Sequence, residues 1–150
     1  MADEFNLDEI VIPALLRSAR GSYGQVIRKR LFANGFEDMP HNGPYVLGGM
    51  ANHGMTPENL IRALGISKQA ASQLIDVLVV RGYLNRSVNP DDRRRMMLEL
   101  TDRGRAAAAL VQESIQWVDG ELGKALTPEE IHTLRKGLHA LSHIREQDEG

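Results

Sequence analysis

A mainly α-helical fold carrying one small β-hairpin is predicted for this 150-residue chain by three features. Residues 89–104 read Asn-Pro-Asp-Asp-Arg-Arg-Arg-Met-Met-Leu-Glu-Leu-Thr-Asp-Arg-Gly: a turn, a cationic tip, an alternating strand, and Thr101 opening a new helix. Just upstream, two short helical patterns are punctuated by Thr56-Pro57, Gly65-Ile66-Ser67 and Gly82. Apolar stripes at helical spacing fill both ends of the chain. A helix pair followed by a hairpin has the make-up of a winged helix-turn-helix, and the outer stripes would be N- and C-terminal dimerisation helices where a partner chain covers them.

The first helix is expected over residues 7–32, where Ile12, Leu15, Leu16, Ala19, Tyr23, Val26, Ile27 and Leu31 recur every three or four residues. Pro13 fits its first turn and Asn34-Gly35 stops it. Residues 37–43 form a loop. A short helix covers residues 44–52, and its Gly48-Gly49 pair implies a close helix contact, since each glycine costs roughly 1 kcal/mol of helix stability relative to alanine. Thr56 caps the next helix with Pro57 at its first position, and Gly65 ends it. Ser67 caps a helix running to Arg81, which Gly82 terminates. The hairpin occupies residues 83–100, with Met96, Leu98 and Leu100 on one face. A long helix follows over residues 101–124. Thr127-Pro128-Glu129-Glu130 is a capping box that opens the last helix, with Ile131, Leu134, Leu138 and Leu141 in rhythm. The tail from Arg145 is expected to fray.

Composition is that of a soluble globular protein: 42% apolar, 25% charged, and only 5% aromatic, which suits an aliphatic helical interior. The absence of cysteine removes disulfides, thiolate zinc sites and thiol redox sensing from this chain. No apolar run is long enough for a membrane span, and Met-Ala-Asp-Glu-Phe has no leader pattern, so a cytoplasmic location is expected. The net charge of −2 argues against nucleic acid until its distribution is considered. Between Pro57 and Arg105 nine Lys/Arg stand against six Asp/Glu, whereas the remainder holds nine against fourteen. The basic excess lies on the helix pair and hairpin.

Function is sharpest there. Leu60, Leu64, Ile66, Ala71 and Leu74 can share a small core, and Gly65 supplies the positive φ that the turn needs. The exposed start of the second helix is then Ser67, Lys68, Gln69, Ser72 and Gln73, donor-rich side chains suited to base edges and phosphates. A plain helical hairpin with a polar outer face has the same pattern. The hairpin tip adds Asp92, Arg93, Arg94 and Arg95. Three adjacent arginines repel one another unless an anion is present or Asp91 and Asp92 offset them, and a narrow minor groove attracts an inserted arginine. A solvated turn with local ion pairs is the alternative. The end stripes either await a partner chain or fold onto their own subunit.

Residues 65–104 resemble the MarR family of winged-helix transcription regulators. Its wing pattern, Asp-x-Arg, five residues, then Leu-Thr, is matched by Asp92, Arg94, Leu100 and Thr101, and the run Arg81-Gly82-Tyr83-Leu84 is similar to the family's exit from the recognition helix. The resemblance implies one MarR-type unit over residues 1–150, with a DNA-binding lobe at 44–100 and dimerisation helices at 7–34 and 101–147. It implies a homodimer whose winged helices reach the half-sites of a pseudo-palindrome in double-stranded DNA, probed by Arg94 in the minor groove with Asp92 holding it. An i, i+2 carboxylate on the same side of a strand can hold an arginine by a charge-assisted hydrogen bond. It also implies a repressor answering to a small aromatic or phenolic effector, for which Arg17, Arg20, Tyr45, Met50, His53 and Trp117 are candidate contacts. A docking scaffold that no longer binds DNA is the second reading.

No cofactor is expected. His139 and His143 are spaced as a metal pair on a helix, but without a third ligand beyond Glu146 they read as surface histidines. No serine-nucleophile elbow, dinucleotide loop, P-loop or His-Glu-x-x-His occurs, so the chain is not expected to be an enzyme.

Overall fold

The computed structural model describes residues 6–54, 56–94 and 96–146. Six helices and one hairpin follow in the expected order: α1 (Ile12–Ala33), α2 (Gly43–His53), α3 (Pro57–Leu64), α4 (Lys68–Val80), β1 (Leu84–Val88), β2 (Met96–Leu100), α5 (Asp102–Ala125) and α6 (Pro128–Ser142). The chain divides into two compact units, one ending at Ile115 and the other starting at Gln116.

Local chemistry sets the boundaries. Where one helix was expected from Leu7, residues Leu7–Glu9 form a separate 3₁₀ turn, with the Asn6 side chain accepting from the Asp8 amide. Val11 is extended and α1 starts after it, with Pro13 in the first turn, where its missing N–H leaves no helical bond unmade. Thr56 and Ser67 cap α3 and α4 by accepting from the Asn59 and Ala70 amides at 3.3 and 3.1 Å. Gly65 is left-handed, φ +66°, at the corner between them. In the second unit, Thr127 and Glu130 form both bonds of the capping box ahead of α6.

The core of the first unit draws on all five of its helices and the start of the hairpin. Leu31 of α1, Val46 and Leu47 of α2, Leu60 of α3, and Leu74, Ile75 and Leu78 of α4 close over Tyr83, Leu84, Ala107, Ala108 and Val111. Each large aliphatic buried this way stabilises the fold by about 1.5–3 kcal/mol. The expected close contact at Gly48 and Gly49 is present. A Cβ on Gly48 would lie 3.4 Å from Val111, and one on Gly49 would overlap the Leu60 side chain. The hairpin is antiparallel, with Leu84 opposite Leu100, Arg86 opposite Leu98 and Val88 opposite Met96. Leu98 and Leu100 pack on the core while Met97 and Glu99 face outward.

The outer helices are less covered. Leu31 is the one buried residue of α1, and Leu15 and Leu16 remain 41% and 40% exposed. In the second unit α6 buries none of its residues, and Leu134, Leu138 and Leu141 lie open. No described helix is long and apolar enough to cross a membrane.

Candidate nucleic-acid interface

The helix pair is assembled as the sequence predicts. Leu60, Ala71 and Leu74 are buried and Leu64 and Ile66 pack against them, so the opposite side of α4 faces out. Ser67, Lys68, Gln69, Ser72 and Gln73 are all exposed there. Ser67 is committed to its cap. The other four present donors and acceptors near a helix N-terminus, where the partial positive charge of the backbone favours a phosphate.

The wing differs from expectation in one respect. Asp92 and Arg94 lie in the turn that joins β1 to β2, at the expected tip, and so are not paired along one side of a strand. Asn89 makes that turn, its side chain accepting from the Asp91 amide at 2.9 Å and its carbonyl from the Asp92 amide at 3.2 Å. The Asp92 carboxylate then accepts from the main-chain amide of Arg94 at 3.1 Å. Asp92 thus sets the backbone from which the Arg94 side chain departs. Asp91 to Arg94 are exposed, and Arg95 lies outside the described residues.

Two further ion pairs brace the lobe, one between wing and helix and one beneath the wing, and neither was foreseen. On the outer side, Arg86 of β1 donates to Asp76 of α4. At the base, Arg103 of α5 donates to both oxygens of Asp38, at 3.0 and 3.4 Å, and to the Arg81 carbonyl at 2.5 Å. Its guanidinium lies 4.2 Å from the centre of the Tyr83 ring and 5.4 Å from that of Phe36. The Tyr83 hydroxyl also donates to Asp38. The Arg103 guanidinium, then the Tyr83 hydroxyl, hold the Asp38 carboxyl below its ordinary value. Burial, then the bond to Asp38, pushes the Tyr83 phenol up to about 12. Asp76 stands out in the sequence as an acid on a polar face. Its strand partner, and the 45 and 65 residues separating Asp38 from Tyr83 and Arg103, leave no local trace.

Thr101 joins the wing to α5. Its hydroxyl donates to the Gly82 carbonyl and accepts from the Gly104 amide, while its own amide donates to the Tyr83 carbonyl. Gly104 sits so close to Tyr83 that a Cβ would overlap the Tyr83 carbonyl oxygen. The Leu-Thr pair that closes the wing motif therefore anchors the hairpin's base.

The candidate effector contacts lie on several elements. Met50 lines an open cavity of about 540 Å³ with Pro57, Glu58, Leu98, Glu99 and Arg105 among its other walls. Arg17, Arg20, Tyr45 and His53 are exposed on α1 and α2. Trp117 belongs to the second unit and is half exposed. The rings of His139 and His143 meet at a tilt of 41° with centres 4.4 Å apart, and His143 Nδ1 lies 2.8 Å from the His139 carbonyl. Among the described residues no group of three ligating side chains could hold a metal ion.

Residues 38–95, the stretch from Asp38 through the wing tip, match the profile of the MarR family. The chain is similar to the transcriptional repressor MprA of Escherichia coli K12, 29% identical over 102 residues that cover 68% of this chain and 58% of that protein. The chain thus spans little more than half the length of the curated relatives it matches. Its fold resembles the reduced form of MarR from E. coli, with a TM-score of 0.65 and 25% identity over 88% of this chain and 96% of that one. It also resembles the DNA complex of S. aureus MepR, with a TM-score of 0.70 and 20% identity over 89% and 97% of the two chains, a likeness of fold.

Proposed function

We propose that this chain, whose residues 38–95 match the MarR family's profile, is a MarR-type, sequence-specific DNA-binding transcription regulator. It acts as a homodimer on a pseudo-palindromic operator and represses. The observation that carries this reading is the joint exposure of the α4 polar face and the Asp91–Arg94 turn on one braced lobe. Gln69 and Gln73 suit adenine edges in a major groove, Lys68 suits guanine or phosphate, and Arg94 suits a minor groove beside it. Arg93 clamps the backbone, as would Arg95. Dimerisation is supported by the open apolar side chains of α1 and α6. A small aromatic or phenolic effector would release DNA by changing the spacing of the two lobes, a coupling typically worth ~1–3 kcal/mol.

Selection of bound DNA from a random pool, at stated salt, tests this reading. The expected product is a palindrome with half-sites about one helical turn apart. Failure to enrich any sequence, and failure to bind its own upstream DNA, would instead favour a protein-docking scaffold. A thermal-shift screen of phenolic acids tests the effector.

A further inference from the structure

The exposed face of α4 carries one acid. Successive helix residues turn by about 100°, so Asp76 falls on the line between Ser72 and Gln69, one turn further along and beside Gln73. Ala71, Leu74, Ile75 and Leu78 fill the buried side of the same helix. Asp76 therefore faces the same way as the side chains assigned to base reading, and it is exposed. A bare carboxylate there opposes the approach of a phosphate backbone, because like charges within a Debye length of about 8 Å are poorly screened.

Arg86 meets that acid. It sits in β1 opposite Leu98, and its guanidinium donates to the Asp76 carboxylate. It lines a small cleft of about 220 Å³ with Ser72, Ile75, Pro57 and Leu98, against the helix pair and not at the wing tip. Lys68, Arg93 and Arg94 are exposed and are free of that cleft's lining.

We infer that Arg86 is a charge shield for the DNA-facing helix: it neutralises Asp76 and so lets α4 enter a phosphate-lined groove. This rests on the reading of α4 as the DNA-facing helix. Asp76 in turn occupies Arg86, so Arg86 contributes to DNA affinity through Asp76 and not through a phosphate of its own. Its effect on binding exists when Asp76 is present and vanishes when Asp76 is gone.

A double-mutant cycle on the full chain tests this, using duplex DNA recovered by selection with the parent protein and a random-sequence duplex of equal length. Affinity is read by fluorescence anisotropy across a salt series. Arg86→Ala is expected to weaken binding about fivefold, the size of coupling between neighbouring charges. Asp76→Ala binds as tightly as the parent or more tightly. Asp76→Ala with Arg86→Ala returns to within about twofold of the parent, with the parent's salt slope, and Arg86→Lys stays near the parent. A double variant as weak as Arg86→Ala, its salt slope lowered by about one, makes Arg86 a direct phosphate contact and overturns the shield. So does an Asp76→Ala as weak as Arg86→Ala, since the pair would then act by holding the wing in place. Both side chains are partly exposed, at 39% and 58%, and thermal melting of each variant checks that the fold is intact. A parent that binds no DNA sinks the DNA reading together with the shield, whereas tight parental binding with a flat cycle sinks the shield alone.

Discussion

Arg103 and Asp38, 65 residues apart in the chain, meet as a two-oxygen ion pair at the base of the wing. Asp38 lies in the loop between α1 and α2, and Arg103 in the first turn of α5. Between them the Tyr83 ring lies under the guanidinium and its hydroxyl bonds the same carboxylate. The loop after α1, the start of the hairpin and the start of α5 are thereby held at one point. A displacement of α1 would be felt at the root of the wing.

Arg103→Ala is expected to cost about 1–2 kcal/mol in urea unfolding. The ion pair is partly exposed, 36% and 42% on its two sides, so it contributes less than a buried pair would. The stacking on Tyr83 and the bond to the Arg81 carbonyl add to it. Arg103→Lys keeps a charge but loses the planar fork, and should recover less than half of the loss. Full recovery with lysine would show that charge alone matters.

The same cluster gives stability a pH dependence at both ends. Asp38, held by Arg103 and then Tyr83, has a folded-state pKa below its ordinary 3.8. Its contribution is complete above that value and is lost as pH falls through the lower, folded-state value. Tyr83 titrates near 12 when folded against an ordinary 10.0, so its contribution is complete below 10 and is lost as pH rises through 12. Tyr83→Phe should flatten the alkaline limb of the urea midpoint against pH, and Arg103→Ala should flatten the acid limb. An unchanged alkaline limb in Tyr83→Phe would refute the assignment.

Much of this architecture was legible because it is written locally. Thr56-Pro57, Gly65, Ser67 and the Thr127–Glu130 box each act within a few residues, and each stands where expected. The exposed face of α4 follows from the same helical period that buries Leu74 and Leu78. The break at Val11 was missed because the stripe from Ile12 onward masks the extended residue ahead of it. The tip position of Asp92 and Arg94 was legible from the turn-forming Asn89-Pro90-Asp91-Asp92; only their pairing on one side of a strand fails, because both belong to that turn. The pairs Asp38–Arg103 and Asp76–Arg86 join separate elements, and nothing in the spacing of charges marks which ones meet.

Gly104→Ala is expected to destabilise the chain by about 1–3 kcal/mol, toward the upper end, because the added methyl meets a backbone oxygen that cannot rotate away. The strain falls on Tyr83, whose carbonyl also takes the Thr101 amide bond. Chemical denaturation measures the loss. A neutral substitution would mean that α5 shifts freely against the hairpin, contrary to the anchoring by Thr101.

Arg93→Ala with Arg94→Ala should weaken DNA binding and lower the salt slope by about one for each phosphate contact removed. If Arg94 enters the minor groove, Arg94→Ala alone should also reduce the preference for A·T pairs flanking the half-site, while Arg93→Ala weakens all sequences alike. Asp92→Ala should resemble a mild Arg94 defect, because it loosens the turn amide and leaves the guanidinium in place. Binding and slope unchanged in the double variant would remove the wing from the interface.

The apolar face of α6 should decide the oligomeric state. Leu134, Leu138 and Leu141 share one side of the helix and stay 40–41% exposed, an arrangement that gains on the order of 1 kcal/mol for each leucine covered by a partner. Leu138→Glu places a charge in that face and is expected to turn a dimer into a monomer by light scattering. Lys136→Glu, on the opposite side of the same helix, should leave the mass unchanged. The monomer would retain one recognition helix and one wing, so its affinity for a full palindrome should fall toward that for a single half-site. A Leu138→Glu variant that remains dimeric would place the partner surface elsewhere and leave the open leucines of α6 without a role in assembly.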